Sequence, residues 1–172
     1  MGVMPRFATN RLDRAVLASL TAFLGRRPTI LAWANTADGW VIGLPGAMLA
    51  GDGESWSSFP WHQVTTGQWD GSNNRLSWLD ADGVRHEATL EGGGRFAELF
   101  NERVSASVVV SRRAELAAGR HVTLALRRDL EPGSDHTAWQ VIPGPGVDLD
   151  HPATKARVDQ ELAAAQADFG LA

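Results

Sequence analysis

Between Thr29 and Leu90, turn signals interrupt the chain every few residues. Thr36-Ala37-Asp38-Gly39, Pro45-Gly46, Gly51-Asp52-Gly53, Pro60, Asp70-Gly71-Ser72-Asn73-Asn74 and Asp80-Ala81-Asp82-Gly83 break it into short pieces. None of these pieces reaches the roughly ten residues a globular helix needs, so short strands are the economical reading. The expected strands are Ile30 to Asn35, Trp40 to Leu44, Ala47 to Ala50, Glu54 to Phe59, Trp61 to Trp69, Arg75 to Leu79 and Val84 to Leu90. Within the last two, Leu76 and Trp78 share a face, as do Val84, His86, Ala88 and Leu90. Six of the seven tryptophans fall on these segments: Trp33, Trp40, Trp56, Trp61, Trp69 and Trp78. Aromatic residues alternating on strands fill a core before they do anything else. Closely spaced strands of this kind favour a sandwich or a barrel.

Helical periodicity appears on either side. Leu12, Val16, Leu20, Phe23 and Leu24 share one face of a segment predicted helical over 11–24, with Asn10 as N-cap, Gly25 as stop and Pro28 beyond it. After Gly92-Gly93-Gly94, the stripe Phe96, Leu99, Phe100 and Val104 predicts a helix that must bury its apolar side, and the open end of a small barrel is the natural place. A second β block follows, with strands from Val108, from His121 to Arg128 and from Thr137 to Ile142. It ends in a helix capped by Asp150, with Pro152 in its first turn and Val158, Leu162, Ala165 and Phe169 on one face. The expected organisation is thus an N-terminal helix in 1–28, a β-barrel with closing helix in 29–105, and a strands-plus-helix extension in 106–172. The class is mainly β, of the α+β kind.

Charge separates these regions. Residues 28–105 hold four Arg and ten acids, net −6, whereas residues 1–27 are net +4 and the whole chain is −4. An acidic balance argues against general nucleic-acid binding. With no cysteine there is no disulfide and no thiolate chemistry, which fits a reducing cytoplasm, so a cytoplasmic location is expected. The first residues contain no long apolar run, and neither a signal peptide nor a membrane span is expected there.

The block 29–105 resembles bacterial members of the pleckstrin-homology-like (PH-like) superfamily. Gly39-Trp40-Val41-Ile42-Gly43-Leu44 and Ala47-Met48-Leu49-Ala50 are similar to that family's second and third strands. Phe59-Pro60-Trp61-His62-Gln63-Val64 is similar to its hydrophobic-Pro-Trp step, and Phe96 to Val104 occupies the place of its closing helix. The chain as a whole also resembles an uncharacterised family of actinobacterial proteins. The PH-like resemblance implies a bent seven-stranded antiparallel sheet with a helix plugging one end. It does not imply lipid binding: phosphoinositide-binding members use basic residues between the first two strands, where this chain has Asn35-Thr36-Ala37-Asp38-Gly39, one acid and no base.

Motifs for chemistry are weak. His62, His86, His121, His136 and His151 lack the i, i+4 spacing of a helical zinc site, and Asp148-Leu149-Asp150-His151 is explained by capping, so no metal is expected. Ser134-Asp135-His136 holds triad residue types, but adjacent residues cannot form the relay. No nucleophile elbow or nucleotide-binding spacing occurs, and neither catalytic residues nor a cofactor is expected. Candidate binding residues are Trp56, on a strand that Ser55, Ser57 and Ser58 make otherwise polar, and Trp61 just beyond it, together with Arg112, Arg120, Arg127 and Arg128, which would converge if their strands pair as a hairpin. The expected function is a non-catalytic interaction module for a protein partner. The alternatives are peripheral attachment to an anionic membrane through the N-terminal helix and the Arg-rich hairpin, or a small-molecule-binding barrel.

Overall fold

The computed structural model describes residues 11–169; Asn10, the expected first cap, lies outside them. The first helix, α1, spans Arg14–Leu24 and starts three residues later than the periodicity predicts. Asp13 takes the capping position, its carboxylate accepting the Ala15 amide at 2.7 Å and so satisfying a donor the helix cannot use. Gly25, at φ 67°, closes the helix in the left-handed conformation that glycine adopts without steric cost.

Seven strands follow: β1 (Ala32–Thr36), β2 (Gly39–Gly43), β3 (Ala47–Gly51), β4 (Trp56–Pro60), β5 (Thr66–Asp70), β6 (Arg75–Leu79) and β7 (Arg85–Glu91). They form an antiparallel sheet in the order β4-β3-β2-β1-β7-β6-β5. Two meanders, β1–β4 and β5–β7, are joined only by the short pairing of Asn35 with Glu91 and Thr36 with Leu90. The sheet folds over on itself about this joint, since the Phe59 ring of β4 stands 5.2 Å from that of Trp78 on β6 and 4.7 Å from that of His86 on β7.

One expected strand, Trp61 to Trp69, is divided. Trp61–Gln63 forms a 3-10 turn directly after Pro60, and only Thr66–Asp70 is extended. The turn redirects Trp61 from the sheet into the interior, where it is fully buried and its indole N–H donates to the Leu44 carbonyl at 2.9 Å.

Alternation assigns each strand's two faces. Ala34, Val41, Met48, Leu76, Trp78 and Leu90 point inward and pack with Trp61, Val64, Phe96 and Phe100. Ile42 and Leu49 point the other way and meet Val16 and Leu20 of α1. β2 and β3 are therefore buried on both faces, which is why their sequences are continuously apolar while β6 alternates. Leu20, fully buried, contributes about 2 kcal/mol through removal of its side chain from water.

The helix α2 (Gly94–Ser107) sets Phe96 and Phe100 into one end of the folded sheet. Close approach is possible because Gly67 on β5 has no side chain; a Cβ there would lie 2.2 Å from the Phe100 ring. The chain runs from α2 directly into a second antiparallel sheet of β8 (Val108–Glu115), β9 (His121–Arg128) and β10 (Thr137–Pro143), in the order β10-β9-β8. The last helix, α3 (Pro152–Asp168), covers one face of it through Val158, Leu162 and Ala165 against Ala114, Val122 and Leu124. His151 rather than Asp150 occupies its cap position, and no side chain caps it. Pro152, in the first turn, has no N–H that needs a partner. Among the described residues no helix is long and apolar enough to cross a membrane.

Candidate functional site

The expected hairpin forms, β8 pairing with β9 from Val108 opposite Arg127 to Glu115 opposite His121. Its guanidinium groups, however, engage different neighbours. Arg112 meets Asp168 at 2.9 Å and Glu161 at 3.9 Å on α3. Arg120 donates to the carbonyls of Ala117 and Gly146, each at 3.4 Å. Arg128 is exposed and donates to the Ala106 carbonyl at 3.1 Å.

Arg127 belongs to the interior, with 2% exposure, and so offers nothing to a surface partner. Its guanidinium donates to the carbonyls of Trp61 (2.8 Å) and Val64 (2.9 Å) and to the Ser107 hydroxyl (2.6 and 2.9 Å). No carboxylate pairs with it among the described residues, and burial pushes its pKa down. The cation is held by carbonyl dipoles, including the Val104 carbonyl in the last turn of α2 at 3.5 Å, where the helix end is partially negative. Gln140 of β10 adds a bond from its amide to the His62 carbonyl at 2.7 Å. These bonds tie the three-stranded sheet to the Trp61–Gln63 turn and to α2. An arginine in a strand ordinarily reads as solvated because Arg is so rarely buried. The apolar run Leu124-Ala125-Leu126 directly before it was the available signal that both faces of β9 are covered there.

Trp61 is likewise a core residue. Trp56 differs: it is half-buried, and its indole N–H donates to the Ser19 hydroxyl of α1 at 3.0 Å. Its position borders a cleft of about 520 Å³. The β1–β2 turn, the end of β3, the start of β4 and strands β6 and β7 border it, with Asp38, Asp52 and Glu87 as its charged residues; Trp78 lies on its inner side, whereas Trp40 and Trp56, which also border it, pack on the opposite face of the sheet with Ile42 and Leu49 beside α1. A second depression of about 420 Å³ adjoins it on the other side of the β1–β2 turn and adds Glu91. No Lys, Arg or His lines either recess. The nearest ionic partner is Arg75, whose guanidinium stands 3.9 Å from Glu87. The Asp52 carboxylate accepts the amides of Ser55 and Glu54 at 2.8 and 2.9 Å, and these bonds lower its pKa. Trp78 is 3% exposed, and its indole N–H has no hydrogen-bond partner.

Two histidine clusters emerge that the linear spacing does not reveal. His86 Nε2 lies 2.7 Å from the Asp80 carboxylate, and its ring stacks on Trp78 at 5.4 Å. That His–carboxylate pair could orient a base, but no hydroxyl donates to His86 among the described residues. Asp80 also accepts the Asp82 and Val84 amides, so the pair serves to hold the β6–β7 turn. At the seam between the sheets, His62 faces Asp129 at 3.5 Å and the His136 ring at 5.9 Å. Burial lowers the His62 pKa, opposed by the Asp129 charge and assisted by His136 and Arg127. Among the described residues no group of three or more His, Cys, Asp or Glu is arranged to hold a metal ion.

No family model, curated protein or solved structure matches this chain.

Proposed function

We propose that the chain is a non-catalytic interaction module with a PH-like β-barrel, and that it binds a protein partner at the Trp-bordered cleft between the β1–β2 turn, β3–β4 and β6–β7. The PH-like reading is supported by the four-strand and three-strand meanders folded together and by the helix that follows them, with Phe96 and Phe100 at one end of the interior. The binding reading rests on the cleft itself. It is bordered by the half-buried Trp40 and Trp56 and by the exposed carboxylates of Asp38, Asp52 and Glu87. Partly exposed tryptophan beside polar groups is the composition of a contact surface, because the ring adds much apolar area at little entropy cost.

Two observations weigh against the alternatives. Val16 and Leu20 of α1 are buried against Ile42 and Leu49, which leaves Phe23 as the one large apolar side chain exposed on that helix, too little apolar surface to hold it in a bilayer. The interior at the α2 end is filled by Trp61, Phe96 and Phe100 rather than hollow.

A photo-crosslinking residue at Ser57, which lines the cleft and is exposed, tests this in the native host, with Arg157 on α3 as the control position. A discrete protein adduct from position 57 and not from 157 is the expected result. Adducts from 157 alone, or none from either, would remove the cleft from consideration.

A further inference from the structure

We infer that the β9–β10 connection, residues 129–136, is a flap that is closed over His62 at neutral pH and opens on acidification.

The flap is a self-closed loop with a light hold on the first sheet. The Asp129 amide donates to the His136 carbonyl at 2.9 Å, and the Ser134 amide donates to the Glu131 carbonyl at 2.9 Å. The Asp129 carboxylate accepts the Glu131 amide at 3.0 Å, and Gly133 turns the chain at φ 86°. Toward the first sheet, the partly buried Leu130 packs against the core, and Glu131 pairs with Arg26 at the surface. A solvated ion pair of that kind adds little to stability.

Beneath the flap, His62 is 8% exposed, and its Nδ1 has no hydrogen-bond partner. The flap sets two groups against this imidazole, the Asp129 carboxylate at 3.5 Å from Nδ1 and the His136 ring at 5.9 Å. β9 adds the Arg127 guanidinium, which donates to the flanking carbonyls of Trp61 and Val64. β10 adds the neutral Gln140, whose amide donates to the His62 carbonyl. On α2, which also packs against this turn, Glu98 and Glu102 are exposed and Arg103 donates to the Pro45 carbonyl. One carboxylate therefore stands against a fixed cation and a second imidazole.

A proton on His62 would create a buried cation whose single anionic neighbour is too distant for a good hydrogen bond. Burial disfavours that proton in the closed form, the Asp129 charge opposes the effect, and His136 and Arg127 reinforce it. Once the flap lifts, water solvates the imidazole and its ordinary pKa of 6.5 returns. The open form then binds the proton more readily. Opening is indifferent to pH above about 6.5 and grows as pH falls through that value towards the closed-form pKa. Asp129 stays ionised over this range. Burial works to raise its pKa, but bonds from the Glu131 amide and the Ser134 hydroxyl, with the two histidines, hold it below the ordinary 3.8. The response thus belongs to histidine, whose charge changes between about pH 5 and 8.

The test is amide hydrogen exchange on the whole chain, read by NMR and corrected for the intrinsic pH dependence of exchange. From about pH 7.5 to about pH 5.5, the opening constant at the Asp129, Glu131 and Ser134 amides should rise by roughly threefold or more, while Val41 in the middle of the first sheet keeps its protection. The His62 ring signals should titrate in step with that rise, and His62→Gln should abolish it. Flap protection unchanged by acid, protection lost equally at Val41, a His62 titration out of step with the flap, or an acid response that survives in His62→Gln would each overturn the inference. Should His62→Gln fail to fold, the three readings on the wild-type chain decide the matter without it.

Discussion

Replacing Arg127 should expose how far the second sheet depends on a single buried cation. Truncation to Ala would strand the Trp61 and Val64 carbonyls and the Ser107 hydroxyl, which now accept its donors at 2.6–2.9 Å. The Trp61 carbonyl retains the Val64 amide at 3.3 Å and the Ser107 hydroxyl still donates to the Val104 carbonyl at 2.6 Å, so neither is wholly orphaned. Leaving the Val64 carbonyl buried without a donor costs about 1–3 kcal/mol, and the vacated volume adds to this. Opposing it, removal of the guanidinium relieves the desolvation that holding a charge inside incurs, which amounts to several kcal/mol for a badly solvated ion. The shell of carbonyl oxygens keeps that relief well below its maximum here, so the net expectation for Arg127→Ala is a loss of about 3 kcal/mol. Lys at the same place keeps the charge but cannot span three acceptors on two elements, and should lose about 2 kcal/mol. Arg128→Ala, one residue on but exposed, should change stability by less than about 0.5 kcal/mol. Equilibrium urea unfolding followed by far-UV circular dichroism reads all three. With a slope of about 2 kcal/mol/M, the Ala variant's midpoint should fall by about 1.5 M. Arg127→Ala indistinguishable from wild type, or Arg128→Ala as damaging as Arg127→Ala, would refute the reasoning.

Three other outcomes follow from local geometry. The folded-state pKa of His62 lies below its ordinary value of 6.5 because burial disfavours the imidazolium. The unfolded chain therefore binds the proton more readily, so the His62 contribution is intact above about pH 6.5 and is lost as pH falls through that value towards the folded pKa. Urea midpoints between pH 8 and 5 should show the decline, and His62→Gln should flatten it; an unchanged slope would contradict the assignment. Gly67→Ala places a Cβ 2.2 Å from the Phe100 ring, and a destabilisation of about 1–3 kcal/mol is expected in thermal melts as β5 and α2 are forced apart. Asp13→Ala removes the cap on the Ala15 amide and should cost about 1 kcal/mol, with Asp13→Asn close to neutral in the same melts.

Much of the β architecture was legible because turns are encoded locally. Asp-Gly and Pro-Gly signals depend on the conformations that individual residues tolerate, so β2, β3, β6 and β9 fall within a residue of where the punctuation places them. Helical stripes were readable in part: Phe96 and Phe100, or Val16 and Leu20, declare a buried face by spacing alone, whereas Phe23 and Phe169, assigned to such faces at the helix ends, are exposed because no element packs over them. The cap of α1 moved from Asn10 to Asp13 because both are good caps and the choice between them turns on where the helix meets the sheet. The strand from Trp61 to Trp69 failed for a related reason. A polar, partly aromatic segment is consistent with an edge strand, and only the packing demand on Trp61 selects a turn after Pro60.

The candidate site divides along the same line. Sequence by itself determined that the β block is acidic, that its first hairpin loop carries Asp38 without a base, and that no familiar catalytic spacing is present, because these are properties of composition and of near neighbours. Tertiary structure alone decided which charged and aromatic residues are free to meet a partner. Arg127 and Trp61 were withdrawn into the interior by contacts with residues far away in the chain. Asp38, Asp52, Trp56 and Glu87 were gathered around one recess by the folding of two meanders onto each other. The physical reason is that burial and convergence are set by long-range pairing and sheet curvature, which no window of sequence contains, whereas turns, caps and periodic faces are settled within a few residues.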